Sequence, residues 1–275
     1  MTIERNIAFL GAGNMAAALI DGLIAAGTCK PSRITATDVR PERLEELVQR
    51  HGIRTTASNP DAVAEADVVI LAVKPQVLSV VLDGIGGSLR PETLVVSVAA
   101  GVPAAVIEKH LADGTRVVRT MPNTPALVHA GATGIAPGAR ATKDDLEVVE
   151  QLFGSVGRTV TVNEQLLDAV TGLSGSGPAY VFVMIEALSD AGVKMGLPRD
   201  AAIGMAAQTV YGAAKLVLES GEHPARLKDR VTSPAGTTIA GVHALEEGGL
   251  RATMFRAVEA ATRRADELGK KASGG

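Results

Sequence analysis

Two hydrophobic periods divide the chain. Through residue 162, short apolar runs alternate with stretches whose apolar positions recur every three or four residues. Unbroken short runs are typical of strands buried on both faces of a parallel sheet, and the longer period is typical of the helices that cover it. The runs that we interpret as strands are residues 7–10, 34–37, 68–73, 94–98, 117–119 and 158–162. This alternation predicts an α/β, Rossmann-type fold with a doubly wound parallel sheet.

Residues that typically start or end helices stand at the expected helix boundaries. Prolines occupy plausible first helical positions, and glycines stand where helices should stop: Pro41, Pro60, Pro103, Gly27 and Gly52. The segment from Thr142 to Asp145 has the form of a capping motif, which predicts that a helix begins there.

After residue 162 only the helical period continues. We therefore predict an α/β domain over residues 1–162 and an all-helical domain over residues 163–275. Further features of the sequence assign dinucleotide binding to the first domain, and substrate binding and dimerisation to the second. Small-residue segments predict helix breaks at residues 172–178, 192–198, 221–224 and 233–236. The small, charged tail at residues 270–275 is expected to be disordered.

One predicted helix, residues 200–219, indicates how the chain assembles. Its large apolar residues fall on several faces rather than on one stripe: Ile203, Met205, Val210, Tyr211, Leu216, Val217 and Leu218. A helix that is apolar nearly all round must be buried nearly all round, and a helical domain of about 110 residues can hardly enclose it alone. The sequence thus predicts an intertwined homodimer or a larger homo-oligomer built on dimers.

Composition excludes several functional classes. The chain has 275 residues, a net charge of −3 and 2% aromatic residues, so it has neither the basic surface nor the stacking faces that nucleic acids require. Cys29 is the single cysteine, which excludes an internal disulfide and a cysteine metal cluster, and no metal is expected. We find no apolar run of membrane-spanning length and no signal peptide. A soluble, cytoplasmic protein is expected.

A glycine-rich loop follows the first predicted strand. Residues 11–16 have the dinucleotide-binding form G-x-G-x-x-A, which assigns cofactor contacts to Gly11, Ala12, Gly13, Asn14 and Met15. Gly11 permits the tight turn, Gly13 lets the backbone approach a pyrophosphate, and Ala16 lets the helix pack closely on the strand. The helix N-terminus then faces the phosphates.

The second predicted strand leaves the choice of dinucleotide open. Asp38 would accept hydrogen bonds from ribose hydroxyls and repel a 2′-phosphate, which favours NAD(H). Arg40 would do the reverse, which favours NADP(H). Both side chains also fit a plain solvated turn.

Two further loops leave the carboxyl ends of predicted strands, where such sheets bind ligands. The first contains Val73, Lys74 and Pro75, and Lys74 could meet a phosphate, a ribose or the substrate. The second contains Asn123 between two prolines, and its amide can offer a donor and an acceptor to a nicotinamide. A surface lysine and a stiff structural loop are the alternatives.

The helical half has two small-residue segments that precede helices, residues 172–178 and 232–238. Hydroxyls and free backbone N–H groups at a helix start suit a carboxylate. Each segment also fits an ordinary N-capping turn.

Five motifs in order resemble the pyrroline-5-carboxylate reductase family. They are Gly-Ala-Gly-Asn-Met-Ala at 11–16, Ala-Val-Lys-Pro-Gln at 72–76, Met-Pro-Asn-Thr-Pro at 121–125, Gly-Ser-Gly-Pro-Ala-Tyr at 175–180 and Ser-Pro-Ala-Gly-Thr-Thr at 233–238. The resemblance covers about residues 5–265 and is most specific at residues 227–246. It implies reduction of a small cyclic imino acid, bound between the domains of a dimer, by NADP(H) or NAD(H) in the last step of proline biosynthesis.

The resemblance also implies roles for individual residues. The substrate carboxylate would be held by Ser233, Gly236, Thr237 and Thr238, with Thr238 also near the imine nitrogen as the catalytic group. The dinucleotide would be lined by Asn59, Ala72, Lys74, Ala99 and Asn123. Thr237 stands where a smaller residue is common in the family, and Asp38 is not a typical phosphate ligand.

The chemistry needs no strong general acid, because an imine is basic enough to arrive protonated. His243 lies five residues after Thr238, and we interpret it as structural. Two alternatives remain: a β-hydroxyacid dehydrogenase, disfavoured because Val181 occupies the place of that family's catalytic lysine, and a nucleotide-sensing protein without turnover.

Overall fold

The computed structural model describes residues 3–272. Eight strands form one sheet in the order β3-β2-β1-β4-β5-β6-β7-β8. The strands are β1 (Ile7–Leu10), β2 (Ile34–Thr37), β3 (Arg54–Thr56), β4 (Val68–Leu71), β5 (Leu94–Ser97), β6 (Arg116–Met121), β7 (Gly131–Pro137) and β8 (Gly157–Thr161). All neighbouring pairs are parallel except β6 with β7. The strand order reverses at β1, which confirms the doubly wound sheet.

Seven helices belong to the sheet-containing part of the chain: α1 (Asn14–Ala25), α2 (Pro41–His51), α3 (Asn59–Ala64), α4 (Leu78–Ile85), α5 (Ala104–Glu108), α6 (Lys143–Gly154) and α7 (Leu167–Val170). Five follow: α8 (Gly177–Lys194), α9 (Arg199–Ser220), α10 (Pro224–Arg230), α11 (Thr237–Glu247) and α12 (Leu250–Ala272). A π-helix, Thr171–Gly175, joins α7 to the start of α8.

The central strands explain why their sequences are continuously apolar. Along β1, Ile7 and Phe9 enter one core cluster, while Ala8 and Leu10 enter a second cluster on the other face. Helices cover both faces, so successive side chains of opposite direction must all be apolar.

Two strands were missed by the hydrophobic pattern. β3 is a three-residue edge strand of arginine and threonines, and β7 contains two glycines and ends at Pro137. Neither is an apolar run, because an edge strand keeps one side in solvent and β7 owes its place to pairing with β6 and β8. The expected runs at 68–73 and 94–98 also end early, at Leu71 and Ser97, where the chain leaves the sheet.

The predicted helix signals are largely confirmed. Thr142 and Asp145 form a reciprocal capping box: the Asp145 N–H donates to Thr142 Oγ1 at 3.2 Å, and the Thr142 N–H donates to Asp145 Oδ2 at 2.9 Å. Gly52 ends α2 in the left-handed region, with φ of 66°. Pro103 is the residue before α5 rather than its first residue, and Pro60 is the second residue of α3.

The chain divides into two compact units. One contains the residues through Ser176 together with those from Glu259 onward, and the other spans Gly177–Val258. The first unit runs past the sheet because α7 packs on it: a methyl group at Gly134 of β7 would lie 2.8 Å from Val170 Cγ1. The division of roles at residue 163 stays a prediction.

The second unit is helical, as expected, but two details differ. The segment 172–178 is not an open break, because its first part continues α7 as a π-helix. A break that we did not predict separates α11 from α12 at Gly248 and Gly249. The expected tail disorder is wrong for residues 270–272, which belong to α12; residues 273–275 lie outside the described part of the chain.

Helix α9 corrects the expectation about membrane-spanning length. It has 22 residues and a mean hydropathy of 1.3 over an 18-residue window, so by length and composition alone it is the one described helix that could cross a membrane. Alanines separate most of the large apolar residues of this helix, so the mean hydropathy is high although the large residues form no long run, which is why the pattern concealed it. The same helix is the one predicted to lie in a dimer.

Candidate active site

The turn after β1 requires glycine. Gly11 has φ of 99°, and a methyl group there would lie 2.7 Å from the carbonyl oxygen of Ala72. Ala16 is fully buried, so the first turn of α1 packs directly against the sheet. The predicted reasons for a glycine at position 11 and a small residue at position 16 are confirmed as local geometry.

Gly13 precedes α1 and carries no side chain that could cap it. A methyl group at Gly13 would meet nothing within 4 Å, so the space in front of this helix end is open. N–H groups in the first turn of a helix lack intrahelical partners, and the helix dipole favours negative charge there. This helix end can therefore accept a phosphate group.

Asp38 and Arg40 meet at one corner of the glycine-rich turn. Asp38 Oδ2 accepts a hydrogen bond from the Ala12 N–H at 2.9 Å, and Oδ1 accepts from Arg40 Nε at 2.9 Å and from the Arg40 N–H at 3.0 Å. The Asp38 side chain is only 7% exposed. Burial by itself raises the pKa of Asp38, but these hydrogen bonds outweigh it and lower the pKa to about 2.

The pairing gives the two residues different chemistry. Asp38 is ionised and its oxygens already accept several hydrogen bonds, one of which holds the turn. The Arg40 side chain is about half exposed, so its guanidinium can still face a neighbouring anion. Arg43, which sequence reasoning missed, donates from a guanidinium nitrogen to Asn14 Oδ1 at 2.9 Å and adds positive charge beside α1.

A cleft of about 650 Å³ opens beside this corner. It brings together the predicted residues Gly11, Asp38, Asn59 and Val73. Asn59 is held by Thr37, whose hydroxyl donates to Asn59 Oδ1 at 2.6 Å. The remaining residues that line the cleft are mostly apolar and were not predicted as site residues: Thr37, Val39, Ala57, Ser58, Pro60, Val77, Val80, Val81 and Gly84.

Val39 is the most informative of these residues, because it is 96% exposed. An isolated exposed valine carries no sequence signal, and only the fold shows that it faces a cleft with Val77 and Val80. A cleft with apolar walls and a rim of polar groups suits a flat heterocycle attached to a sugar.

The loop after β4 contains the predicted Ala72, Val73, Lys74 and Pro75. The Ala72 N–H donates to the Leu10 carbonyl oxygen at 2.9 Å, which fixes this loop against the glycine-rich turn. Pro75 begins a short 3-10 helix, and Lys74 precedes it with an exposed side chain. Ala99, after β5, is buried, and its N–H donates to Ser97 Oγ at 3.2 Å.

Asn123 makes structural contacts, which agree with the stiff structural loop that the sequence left as an alternative. Its Nδ2 donates to the carbonyl and hydroxyl oxygens of Ser174, both at 3.2 Å, and its Oδ1 accepts from the Ala132 N–H at 2.9 Å. Both ends of the amide therefore tie the loop to the π-helix and to β7. Nicotinamide binding by Asn123 stays a prediction.

The predicted substrate segment lies in the second unit, directly before α11. Gly236 precedes the helix and, like Gly13, carries no side-chain cap, while Thr237 and Thr238 are the first two helical residues. Ala235 has a φ of 56°, which is unusual for a residue other than glycine, and the Gly236 N–H donates to the Ser233 carbonyl oxygen at 3.1 Å. A methyl group at Gly236 would collide with Ser233 Oγ, so a larger residue there would require the Ser233 hydroxyl to move.

Within residues 3–272, no three His, Cys, Asp or Glu side chains are grouped so that they could hold a metal ion. His243, interpreted as structural, is exposed on α11, and its Nε2 lies 3.6 Å from Glu247 Oε1.

The comparisons with known proteins cover nearly the whole chain. A family model described as pyrroline-5-carboxylate reductase dimerisation matches residues 164–268, and one described as NADP oxidoreductase coenzyme F420-dependent matches residues 6–101. The pyrroline-5-carboxylate reductase of Methanosarcina acetivorans is 52% identical over 98% of this chain and 99% of its own length. The enzyme of Synechocystis is 48% identical over 98% of this chain and all of its own length.

This chain belongs to the pyrroline-5-carboxylate reductase family. A solved pyrroline-5-carboxylate reductase from Coxiella burnetii matches with a TM-score of 0.92 at 40% identity, over 97% of this chain and 99% of its own. The Plasmodium falciparum pyrroline carboxylate reductase with NADP bound has a TM-score of 0.86 at 30% identity, over 98% of this chain and all of its own. The family confirms a Rossmann-type domain followed by a helical dimerisation region.

Proposed function

We propose that this chain reduces 1-pyrroline-5-carboxylate to L-proline by hydride transfer from a nicotinamide dinucleotide to the C=N bond, the last step of proline biosynthesis. The observation that carries the proposal is a pair of helix ends, at Gly13 before α1 and at Gly236 before α11. Neither has a side-chain cap. One suits the pyrophosphate of a dinucleotide, and the other suits the carboxylate of an imino acid.

The dinucleotide would be held by the glycine-rich turn and the cleft beside it. The pyrophosphate would lie against the glycine-rich turn, which consists of Gly11, Ala12, Gly13, Asn14 and Met15. The cleft walls around Val39 and Val77 would enclose the adenine. The loops that contain Ala72, Lys74, Ala99 and Asn123 would line the rest. The bound dinucleotide supplies the hydride, and these residues supply its position.

NADPH is the proposed cofactor, because Arg40 keeps an exposed guanidinium that can pair with a 2′-phosphate, and the Plasmodium falciparum relative was solved with NADP bound. Asp38 opposes this preference by its charge. Its hydrogen bonds to Arg40 and to the glycine-rich turn reduce what it can offer to ribose hydroxyls. NADH is expected to be the weaker reductant.

The substrate carboxylate would be bound by hydroxyl and backbone groups of Ser233, Gly236, Thr237 and Thr238. The Thr238 hydroxyl would also hydrogen-bond to the imine nitrogen. Since the imine arrives protonated, catalysis is mainly a matter of orientation and of hydrogen bonding to a charged group. No histidine is needed as a general acid.

A homodimer is part of the proposal. In the second unit, two grooves of about 490 and 450 Å³ have apolar linings, one around Phe182 and Ile203 and the other around Leu245 and Phe255. Large apolar side chains exposed on helices are typical of surfaces that a second subunit covers. The family model of dimerisation matches the same residues. We also propose a cytoplasmic location.

The test is to follow oxidation of NADPH and, separately, of NADH by the purified protein with 1-pyrroline-5-carboxylate. We expect turnover with both and a higher kcat/KM for NADPH. A folded protein that binds dinucleotide and substrate analogue without turnover would contradict the proposal and favour a sensing role.

A further inference from the structure

The loop after β5, residues 98–103, lies at the carboxyl edge of the sheet and contains Ala99. Its first residues are fixed to the sheet. The Val98 N–H donates to the Leu71 carbonyl oxygen at 3.2 Å, and the Ala99 N–H donates to Ser97 Oγ at 3.2 Å. The loop therefore begins in a defined position.

The far end of the loop is fixed by a largely buried ion pair. The Ala104 N–H, in the first turn of α5, donates to Glu164 Oε1 at 2.7 Å. The same oxygen accepts from the Arg119 guanidinium at 2.9 Å, and the Arg119 side chain is almost fully buried. A charged acceptor held in this way restrains the start of α5.

The middle of the loop is held by the last turns of α12. Gly101 is buried with φ of 72°, and a methyl group there would lie 3.4 Å from the backbone nitrogen of Gly269. A methyl group at Gly269 would lie 2.9 Å from the Gly101 carbonyl oxygen. Ala265, one turn earlier, is buried although most of α12 is exposed. Helix backbone and loop backbone thus meet without side chains between them.

Charged residues of α12 lie beside this contact and affect a carboxyl group on α7. Lys270 Nζ lies 2.7 Å from Asp266 Oδ2 on the same helix. Burial raises the pKa of Asp168 on α7; Arg119 lowers it, and Asp266 raises it further. Asp266 acts on Asp168 through its charge, so the end of α12 lies near α7.

We propose that the last turns of α12 position the loop after β5 for dinucleotide binding, and that Gly269 is the positioning residue. A methyl group at Gly269 would lie 2.9 Å from the Gly101 carbonyl oxygen, so the backbone must shift at this contact. On this proposal, the shift moves residues 99–102, including the backbone of Ala99. The inference rests on the proposed function, because it takes this loop to be part of the dinucleotide site.

The test is Gly269→Ala in the full-length protein. Alanine favours a helix more than glycine does, so the substitution does not weaken α12 itself. We expect the Kd for NADPH, measured by its fluorescence without substrate, to rise about tenfold, since displacements below 1 Å at a site are costly. The KM for 1-pyrroline-5-carboxylate at saturating NADPH should stay within about twofold of the wild-type value.

Gly154→Ala is the matched control. Gly154 ends α6, and a methyl group there would meet nothing within 4 Å. This variant should bind NADPH as the wild type does. If Gly269→Ala does not fold, a chain that ends after Glu267 removes the contact without adding atoms, and its Kd for NADPH should also rise.

The outcomes separate the two proposals. A folded Gly269→Ala variant with an unchanged Kd for NADPH would overturn the positioning role, even if its melting temperature fell. Wild-type protein that binds NADPH but does not reduce 1-pyrroline-5-carboxylate would refute the proposed function alone, and the Kd comparison would still decide the role of Gly269. Wild-type protein that binds no dinucleotide would refute both.

Discussion

The two compact units differ in whether their large apolar side chains are buried or exposed. In the sheet-containing unit, alternate residues of strands such as β1 and β4 enter two closed cores, one on each face. In the described unit Gly177–Val258, the only buried apolar residues are Ala202 and Ala206, while side chains such as Phe182, Met205 and Phe255 are exposed. The first unit completes its own core, and the second leaves its largest residues uncovered.

This difference separates two tasks. A sheet with helices on both faces buries its apolar residues within one chain, so its carboxyl edge is rigid enough to position a cofactor. A layer of helices with apolar outer faces needs further surface to cover them. The second unit, in which we place the substrate segment, is therefore expected to depend on a partner subunit, whereas the cofactor site is not.

The largest effect is expected from a charge on the uncovered face. Met205 on α9 is 62% exposed, and Met205→Asp would bury an unpaired carboxylate in each half of a dimer, at about 3–5 kcal/mol for each. We expect a monomer by light scattering at micromolar concentration, with NADPH binding retained by the sheet-containing unit.

Val48→Asp is the control for that change, because Val48 is exposed on α2 of the other unit. It should leave the mass of the assembly unchanged. A Met205→Asp variant that remained dimeric would remove α9 from the interface and would erase the contrast between the two units.

The next effect concerns the substrate segment. Thr238→Val keeps the shape of the side chain and removes its hydroxyl. It should lower kcat/KM by an amount that corresponds to a loss of about 1.5–3 kcal/mol in transition-state stabilisation, the scale of a hydrogen bond to a charged group. The loss should be equal with NADPH and NADH, because the hydroxyl acts on the substrate.

Thr253→Val tests whether loss of any hydroxyl in this unit has the same effect. Thr253 is exposed in the first turn of α12 and donates to the Gly249 carbonyl oxygen at 3.2 Å. Its substitution should leave kcat/KM within about twofold. An unchanged rate for Thr238→Val would exclude Thr238 from the mechanism.

A smaller and more selective effect is expected in the sheet-containing unit. Arg40→Ala removes the guanidinium proposed to face the 2′-phosphate and should lower kcat/KM for NADPH about tenfold, with less than about twofold change for NADH. Steady-state kinetics with both cofactors would measure it. Arg54→Ala is the control, since Arg54 is an exposed arginine of β3 that pairs with Glu65. An equal fall with both cofactors would contradict the assignment.

The smallest effect concerns the stability of the sheet-containing unit. Burial lowers the pKa of His51 below its ordinary 6.5; Asp21 raises it in part, and Arg50 lowers it further. A folded-state pKa below the unfolded value means that the unfolded chain takes up the proton more readily. The free energy of unfolding should therefore fall as the pH drops below about 6.5.

Urea unfolding of the wild type and of His51→Gln between pH 5 and pH 8 would measure this dependence. The variant should lose less stability on acidification. His243→Gln, at an exposed histidine of α11, should behave as the wild type does. An identical pH dependence of the wild type and His51→Gln would show that burial of His51 has no energetic weight.

Local rules were sufficient for much of this molecule. The strand at 34–37, the capping box of Thr142 and Asp145, and the need for glycine at position 11 each depend on a few neighbouring residues, and each is present in the structure. Where a strand forms through pairing with distant segments, the hydrophobic pattern was insufficient to predict it. β7 pairs with β6 and β8, and its glycines and proline give no strand signal.

The candidate site divides in the same way. The glycine-rich turn could be found from sequence because its backbone conformation requires glycine at position 11, and the small-residue segment before α11 could be found because it matches a family motif. Val39 in the cleft wall and Arg43 beside Asn14 could not be found, because an exposed valine and an arginine on a helix are ordinary until the chain is folded. The ties of Asn123 to Ser174 and Ala132 are also long-range contacts.

The sequence by itself determined most strands and helices in their order, the two small-residue segments that precede α1 and α11, and the family resemblance, since these follow from periodicity and from motifs of a few residues. The tertiary structure decided which side chains surround each site. It paired Asp38 with Arg40, placed Val39 over a cleft and brought Gly269 against Gly101, 168 positions apart. Contacts of this kind depend on how elements pack in space, and a hydrophobic period records only that an element is packed.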